Sequence, residues 1–183
     1  MPKTDIWPNA TVLVPARNEA DMLPETLPSL LTQNYPGNFS VILIDDRSSD
    51  GTAAMAQAIG TREGENRRLT TIVGSPLPTG WVGKMWALQQ GLTYMKRQES
   101  EAPEYVLLTD ADIWHQPGSL RNLVLESQIA ELSLNSRMAR LRCESPAEHW
   151  LVPAFVFFFN MLYPMRQVNS VDRPVVAAAG GCV

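Results

Sequence analysis

Glu104 to Trp114 reads E-Y-V-L-L-T-D-A-D-I-W, and this stretch decides the fold. Tyr105 to Leu108 is a short run of aromatic, β-branched and leucine residues behind Ala102-Pro103. A continuous apolar run of that length, opened by a turn signal, is the pattern of a strand buried on both faces. It ends in Thr109-Asp110-Ala111-Asp112. Open α/β sheets bind ligands outside the carboxyl ends of their strands. Two carboxylates one residue apart straddle this strand end, one along the edge and the other outward. Hard divalent cations take carboxylate oxygens, and magnesium or manganese keeps water and ligand phosphates as further ligands. The strand end is therefore suited to a metal-bound diphosphate. On this stretch alone, Asp110 capping a turn and Asp112 facing solvent would explain the pattern equally well.

Upstream lie three more apolar runs, each followed by a polar loop. Leu69 to Val73 reads as a strand, followed by a Gly- and Pro-rich loop from Gly74 to Trp81. Gly83-Lys84 then precedes a helix from about Met85 to Arg97, with Met85, Leu88, Leu92 and Met95 as its expected buried stripe. A cation near a helix N-terminus opposes the helix dipole, so Lys84 suits a bound anion there; an exposed lysine is the plainer alternative. Phe39 to Ile44 is another strand, ending in D-D-R-S-S-D-G-T from Asp45 to Thr52. Ser49 or Asp50 is expected to N-cap a helix through Ile59 that Gly60 closes. A cap does not explain Asp45 and Asp46, which suit hydrogen-bond donors such as a base N–H or are solvated loop acids. Ala10 to Pro15 is the first strand, and Pro15-Ala16-Arg17-Asn18-Glu19 follows it. Met22, Leu23, Leu27, Leu30 and Leu31 then recur at helical spacing, with Pro24 fitting only in the first turn.

Downstream, Gln116-Pro117-Gly118-Ser119 leads into a helix to about Ala130. Leu132 to Arg142 alternates in part and is read as a possible strand. Ser145-Pro146-Ala147-Glu148 is a capping box with proline in the first turn. The helix it opens, Trp150 to Tyr163, carries Trp, four Phe and Tyr and is apolar almost all round, yet it is short for a membrane span. With Arg166 just beyond, the segment 146–165 is expected to lie at a membrane interface, the alternative being a buried core helix. Val175 to Ala179 is a last strand-like run before Gly180-Gly181.

Composition bounds the reading. A chain of 183 residues with 45% hydrophobic content fits one domain with a real core. A net charge of −4 argues against a nucleic-acid partner, whose binders carry basic patches. Cys143 and Cys182 have no metal-ligand or redox spacing and are read as reduced, largely buried thiols. His115 and His149 fit no metal pattern and are assigned surface or packing roles. The N-terminus has no apolar core of a signal peptide.

Strands alternating with helices predict an α/β fold, a mostly parallel open sheet of Rossmann-like form with right-handed crossovers. Four loops then share one sheet edge: Arg17/Glu19, Asp45/Asp46, Lys84 and Asp110/Asp112. Chance is a poorer explanation for four such clusters than for any one.

The set V-P-A-R-N-E, I-D-D-R-S-S-D-G-T, G-K-M-W-A-L-Q-Q-G and L-T-D-A-D resembles the inverting family-two glycosyltransferases of GT-A nucleotide-sugar fold, over about Thr11 to the end of the chain. The later R-L-R-C-E-S-P, P-A-F-V-F-F-F-N-M-L-Y-P and A-A-A-G-G-C resemble the hopanoid-associated branch. The resemblance implies a nucleotide-sugar donor, commonly a UDP-sugar, and Mn2+ or Mg2+. Pro15, Ala16, Arg17 and Glu19 match the loop around the nucleoside, and Asp46 the base-contacting acid. Lys84 falls in a motif near the nucleotide. Asp110 and Asp112 match the Asp-x-Asp pair, Asp112 being the expected direct metal ligand. It further implies a lipid acceptor, hopanoid-related metabolism and a place on the cytoplasmic face of the inner membrane, with the cytoplasm as the alternative. One catalytic domain is expected over 1–183, with 10–115 binding the donor and 116–183 on the acceptor side.

Two departures accompany the likeness. Members of the branch usually carry an apolar segment ahead of the first strand, where this sequence has about ten residues. The family's catalytic base is an acid downstream of the Gly-Gly stretch, and the chain ends at Val183 without it. The expectation is a C-terminally truncated fragment with no assignable base, and the alternative function is non-catalytic nucleotide-sugar binding. A haloacid-dehalogenase phosphatase also carries Asp-x-Asp at a strand end, but after its first strand and with an Asp-Gly-Thr continuation that is missing here. A receiver domain places its acidic pair after its first strand rather than its second.

Overall fold

The computed structural model describes residues 7–98, 102–141, 143–168, 178 and 181–183. Four strands, β1 (Ala10–Ala16), β2 (Phe39–Asp45), β3 (Leu69–Val73) and β4 (Tyr105–Leu108), form one sheet in the order β3-β2-β1-β4. Every pairing is parallel, with Ala10 opposite both Phe39 and Tyr105, and Val41 opposite Leu69. Parallel neighbours need crossovers, supplied by α1 (Leu23–Leu31), α2 (Thr52–Arg62) and α3 (Gly83–Gln98). Helix α4 (Ser119–Ile129) follows β4. The chain steps outward from β1 to β3, then returns to lay β4 on the other side of β1. That reversal makes a switch point between β1 and β4, where loops diverge and ligands bind.

Strand side chains alternate between two cores. Val12, Val14, Val41 and Leu43 pack with Leu23, Leu27 and Leu30 of α1, Ile59 of α2 and Leu120 and Val124 of α4. Leu13, Ile42 and Ile44 pack with Ala87, Leu88 and Met95 of α3 on the opposite face. Burying each such side chain contributes about 1.5–3 kcal/mol relative to exposure, so an apolar residue at every strand position is what a doubly covered sheet requires. Helix α3 lies close against the sheet at Gly91, where a Cβ would stand 2.9 Å from Ile44 Cδ1. That approach sets the helix phase. Ala87 and Gly91 face the sheet, Leu92 is half-buried, and Met85, expected in the stripe, is exposed.

Three further expectations change. Helix α2 runs through Gly60 to Arg62; the glycine is buried, and a Cβ on it would meet Leu69 Cδ2 at 2.9 Å. It permits close packing and does not terminate the helix. The N-cap of α2 is Gly51 in left-handed conformation, without a side-chain cap bond, and Ser49 and Asp50 face the neighbouring loop. Among the described residues of 132–142 no strand forms. Leu132, Leu134, Met138 and Leu141 are all exposed, so alternation there meets no second layer to bury it. The run Val175 to Ala179 lies outside the described residues except Ala178. Cys182 forms an antiparallel bridge with Thr109, and Val183 exchanges backbone hydrogen bonds with Leu108.

Helix α5 (Pro146–Leu162) begins at the capping box read from the sequence. Ser145 Oγ accepts the Glu148 N–H at 3.2 Å and Glu148 Oε2 accepts the Ser145 N–H at 2.7 Å. Yet α5 buries none of its residues; Trp150 is 83% and Phe157 63% exposed. It is not a core helix of the described chain. The short α6 (Met165–Val168) follows it. No described helix is long and apolar enough to cross a membrane.

Candidate functional site

At the carboxyl edge of the sheet the loops after β1, β2 and β4 and the start of α3 surround one depression of about 370 Å³. Its lining comprises Pro15, Ala16, Arg17, Glu19, Asp46, Gly83, Lys84, Ala87, Asp110, Ala111 and Asp112. Each expected site residue is therefore in the same place, although they are drawn from four separate segments. Gly83, Ala87 and Ala111 were not anticipated. They are small side chains, which keep the depression open and leave no polar signature in a sequence.

The two strand-end acids of β2 separate in role. Asp45 is buried and its Oδ1 accepts the Ser48 N–H at 2.9 Å, so it shapes the turn. Asp46 faces the depression, with Arg17 Nη1 3.5 Å from its Oδ2. Gly83 leaves room beside it; a Cβ there would stand in tight contact, 3.2 Å from Asp46 Oδ2. Lys84 pairs with Oδ1 of Asp110. Helix α3 thus opens beside both acids, and the positive end of its dipole favours an anion there.

The depression holds four carboxylates against two cations. Burial pushes the Glu19 carboxyl above the usual carboxylate range, and the charges of Asp112, Asp50 and Asp110 push it the same way. A site that makes its own acids repel each other is suited to a bound cation. Among the described residues no group of three His, Cys, Asp or Glu is arranged to hold a metal alone. Asp110 and Asp112 offer oxygen donors only, and one or two carboxylates completed by phosphate oxygens and water is the way magnesium and manganese are commonly held. The donor set therefore fits a metal that arrives with a diphosphate.

His115, given a surface or packing role from the sequence, sits just behind the site. It is buried, and its Nε2 lies 2.9 Å from Thr109 Oγ1, whose hydroxyl donates to the Gly181 carbonyl at 3.0 Å. With that proton committed, Nε2–H of a neutral imidazole donates to Thr109. Burial holds the His115 pKa below its ordinary value. Both cysteines are free; Cys182 is buried and Cys143 half-buried.

Residues 11–170 match Glycosyl transferase family 2. The 4,4'-diaponeurosporenoate glycosyltransferase of Staphylococcus aureus (strain USA300) is 34% identical over 164 residues, 88% of this chain and 37% of that protein. Its counterpart in Staphylococcus haemolyticus (strain JCSC1435) is 29% identical over 103 residues, 56% of this chain and 24% of that protein. Among solved structures, the mannosyltransferase PcManGT from Pyrobaculum calidifontis in complex with GDP-Man and Mn2+ superposes with a TM-score of 0.51 at 30% identity, covering 66% of this chain and 34% of that one. Staphylococcus aureus TarS 1-349 in complex with UDP-GlcNAc gives 0.54 at 23% identity, over 75% of this chain and 36% of that one, a likeness of fold. The chain spans a little over a third of the length of the Staphylococcus aureus relative.

Proposed function

From the premise that the chain belongs to glycosyl transferase family 2, we propose that it binds a nucleotide-sugar donor at the sheet-edge depression, as the donor half of a transferase. One observation carries the reading: Arg17, Glu19, Asp46, Lys84, Asp110 and Asp112, from four separate segments, line one depression at the switch point of a parallel sheet. Asp46 accepts from a base N–H. Arg17, released from Asp46, and Lys84, released from Asp110, turn to the diphosphate. Pro15 and Ala16 form the floor under the nucleoside. Asp110 and Asp112 would hold Mn2+ or Mg2+; when bound, the cation supplies neutralisation of the charge that develops on the leaving diphosphate. The PcManGT structure, described with GDP-Man and Mn2+, supports that pairing of ligands. UDP is the nucleotide we favour, in line with the family resemblance.

In the inverting reaction an acceptor hydroxyl attacks the sugar carbon from the face opposite the diphosphate, and a base takes its proton within hydrogen-bond reach. The acids of this depression are committed to the donor side, so we place the base outside them. For the acceptor we propose an apolar, isoprene-built lipid. The relative is named for diaponeurosporenoate and not for a hopanoid, so the hopanoid branch is not carried further, and that name supports only the broader lipid class. Helix α5, with its aromatic surface uncovered and Arg166 beyond its end, supports a peripheral seat at the cytoplasmic face of the inner membrane.

Amide NMR of the chain titrated with UDP-glucose, GDP-mannose and ADP, each with Mg2+, tests the donor site. Shifts at Ala16, Glu19, Asp46 and Lys84 with a sugar nucleotide are expected. Shifts confined to other surfaces would sink the assignment.

A further inference from the structure

The D-R-S-S-D-G-T segment is read from sequence as a helix cap, but its side chains reach across to the loop after β1. The Asn18 N–H donates to Ser48 Oγ at 2.9 Å, and the Ser49 N–H donates back to Asn18 Oδ1 at 2.9 Å. The Glu19 N–H donates to Thr52 Oγ1 at 3.0 Å, and the Ala20 N–H to Asp50 Oδ2 at 2.9 Å. Asp50 Oδ1 closes the set by accepting both the N–H and the hydroxyl of Thr52, at 3.0 and 2.6 Å. Thr52 is fully buried although it begins a helix on the sheet edge. Asn18 holds a positive φ of 56°, a conformation that non-glycine residues adopt rarely and that needs local support.

The chemistry of the set is specific. The Thr52 hydroxyl must accept from Glu19 and donate to Asp50 at once, which serine can do and valine cannot. Both oxygens of Asp50 accept, so an amide in its place would set its own NH2 against the Ala20 or Thr52 donors. The residues held in this way flank the depression. Glu19 is fixed through its own N–H, and Arg17 is the residue before Asn18. Left untethered, the Glu19 carboxyl would move away from Asp110 and Asp112, whose charges repel it.

We propose that Thr52 and Asp50 are positioning residues of the donor site: they clamp the β1 loop to the β2 loop so that Arg17 and Glu19 meet the nucleotide together with Asp46. This rests on the donor-binding reading above. The clamp touches no ligand itself. It lowers the ordering cost of binding, because the two loops are already aligned when the nucleotide arrives.

The test compares Thr52→Val, Thr52→Ser and Asp50→Asn in the full chain. Amide hydrogen exchange is read at Glu19 and Ala20, with β1 as internal reference, and UDP affinity with Mn2+ is read by calorimetry. Thr52→Val is expected to lose protection at Glu19 with β1 unchanged, and to weaken UDP roughly three- to tenfold, the range of one or two lost hydrogen bonds. Thr52→Ser restores both. Asp50→Asn, on an exposed side chain, loses protection at Ala20 and weakens UDP similarly, so the inference stays testable even if Thr52→Val fails to fold. Loss of protection with unchanged UDP affinity in either variant would overturn the clamp while leaving the donor site standing. A wild-type chain that does not bind UDP would overturn the donor site, and the clamp's role with it.

Discussion

Lys84, in the first turn of α3, donates a charged hydrogen bond to Asp110, two residues past the end of β4. The pair bridges the depression, and both side chains stay partly exposed, 45% and 36%. Such a pair contributes little to stability, because water screens it. In the proposed donor site it would hold a cation where the diphosphate sits. Lys84→Met is expected to leave the melting temperature nearly unchanged and to weaken UDP about tenfold or more, the loss of one charge-assisted bond. A calorimetric titration decides; unchanged affinity would remove Lys84 from the site.

The close approach of α3 to the sheet gives a stability prediction. Gly91→Ala places a methyl group 2.9 Å from Ile44 Cδ1, in a wholly buried position, and is expected to destabilise the fold by about 1–3 kcal/mol. Ile44→Val deletes that Cδ1. Made together, the two changes should cost less than their sum, a coupling readable in urea unfolding. Strict additivity would show that α3 does not pack as described.

His115 predicts a pH dependence. Its pKa is lowered from 6.5 in the fold by burial, so between the lower folded value and 6.5 the unfolded chain binds a proton that the native state refuses. Stability is then present in full above pH about 6.5 and is lost as pH falls through that window. His115→Gln, whose amide can still donate to Thr109, should flatten the curve between pH 5 and 7. An unchanged slope in that variant would assign the acid sensitivity elsewhere.

Glu19 predicts a trade. Its raised pKa reports destabilisation of its charge at neutral pH. Glu19→Gln should therefore raise the melting temperature slightly while weakening UDP binding in the presence of Mn2+. A lower melting temperature would contradict the electrostatic account.

The alternation of strands with helices and the sheet edge that carries the candidate residues were legible in the sequence for one physical reason. A strand buried on both faces must be apolar at every position, as in Val12 to Val14 and Val41 to Ile44, so the polar residues just beyond stand out as ligand-facing. The rest depended on tertiary contacts that local pattern does not carry. Gly91 against Ile44 turned α3 so that Met85 faces outward. Ser48, Ser49, Asp50 and Thr52 are good capping residues by type, but a neighbouring loop with free N–H groups recruited most of them. Gly60 looked like a helix end because close packing against Leu69 leaves no local trace. Leu132 to Leu141 alternated without a partner layer. The capping box of α5 was legible because both of its hydrogen bonds are local.

For α5, flotation with vesicles containing anionic lipid is expected to carry the wild-type chain to the top of the gradient. Replacing Phe155 and Phe158, both exposed, with serine should leave more of it below. A folded wild-type chain that stays in the soluble fraction would rule out the interfacial seat.

In the proposed donor site a nucleoside diphosphate binds together with a divalent cation held by Asp110 and Asp112. Calorimetry of UDP binding in Mn2+ and in chelator, on the wild-type chain and on Asp112→Ala, tests it most directly. Chelator is expected to weaken UDP markedly in the wild-type chain, and Asp112→Ala is expected to bind UDP weakly and equally in both conditions. Equal UDP affinity with and without metal in the wild-type chain would contradict it.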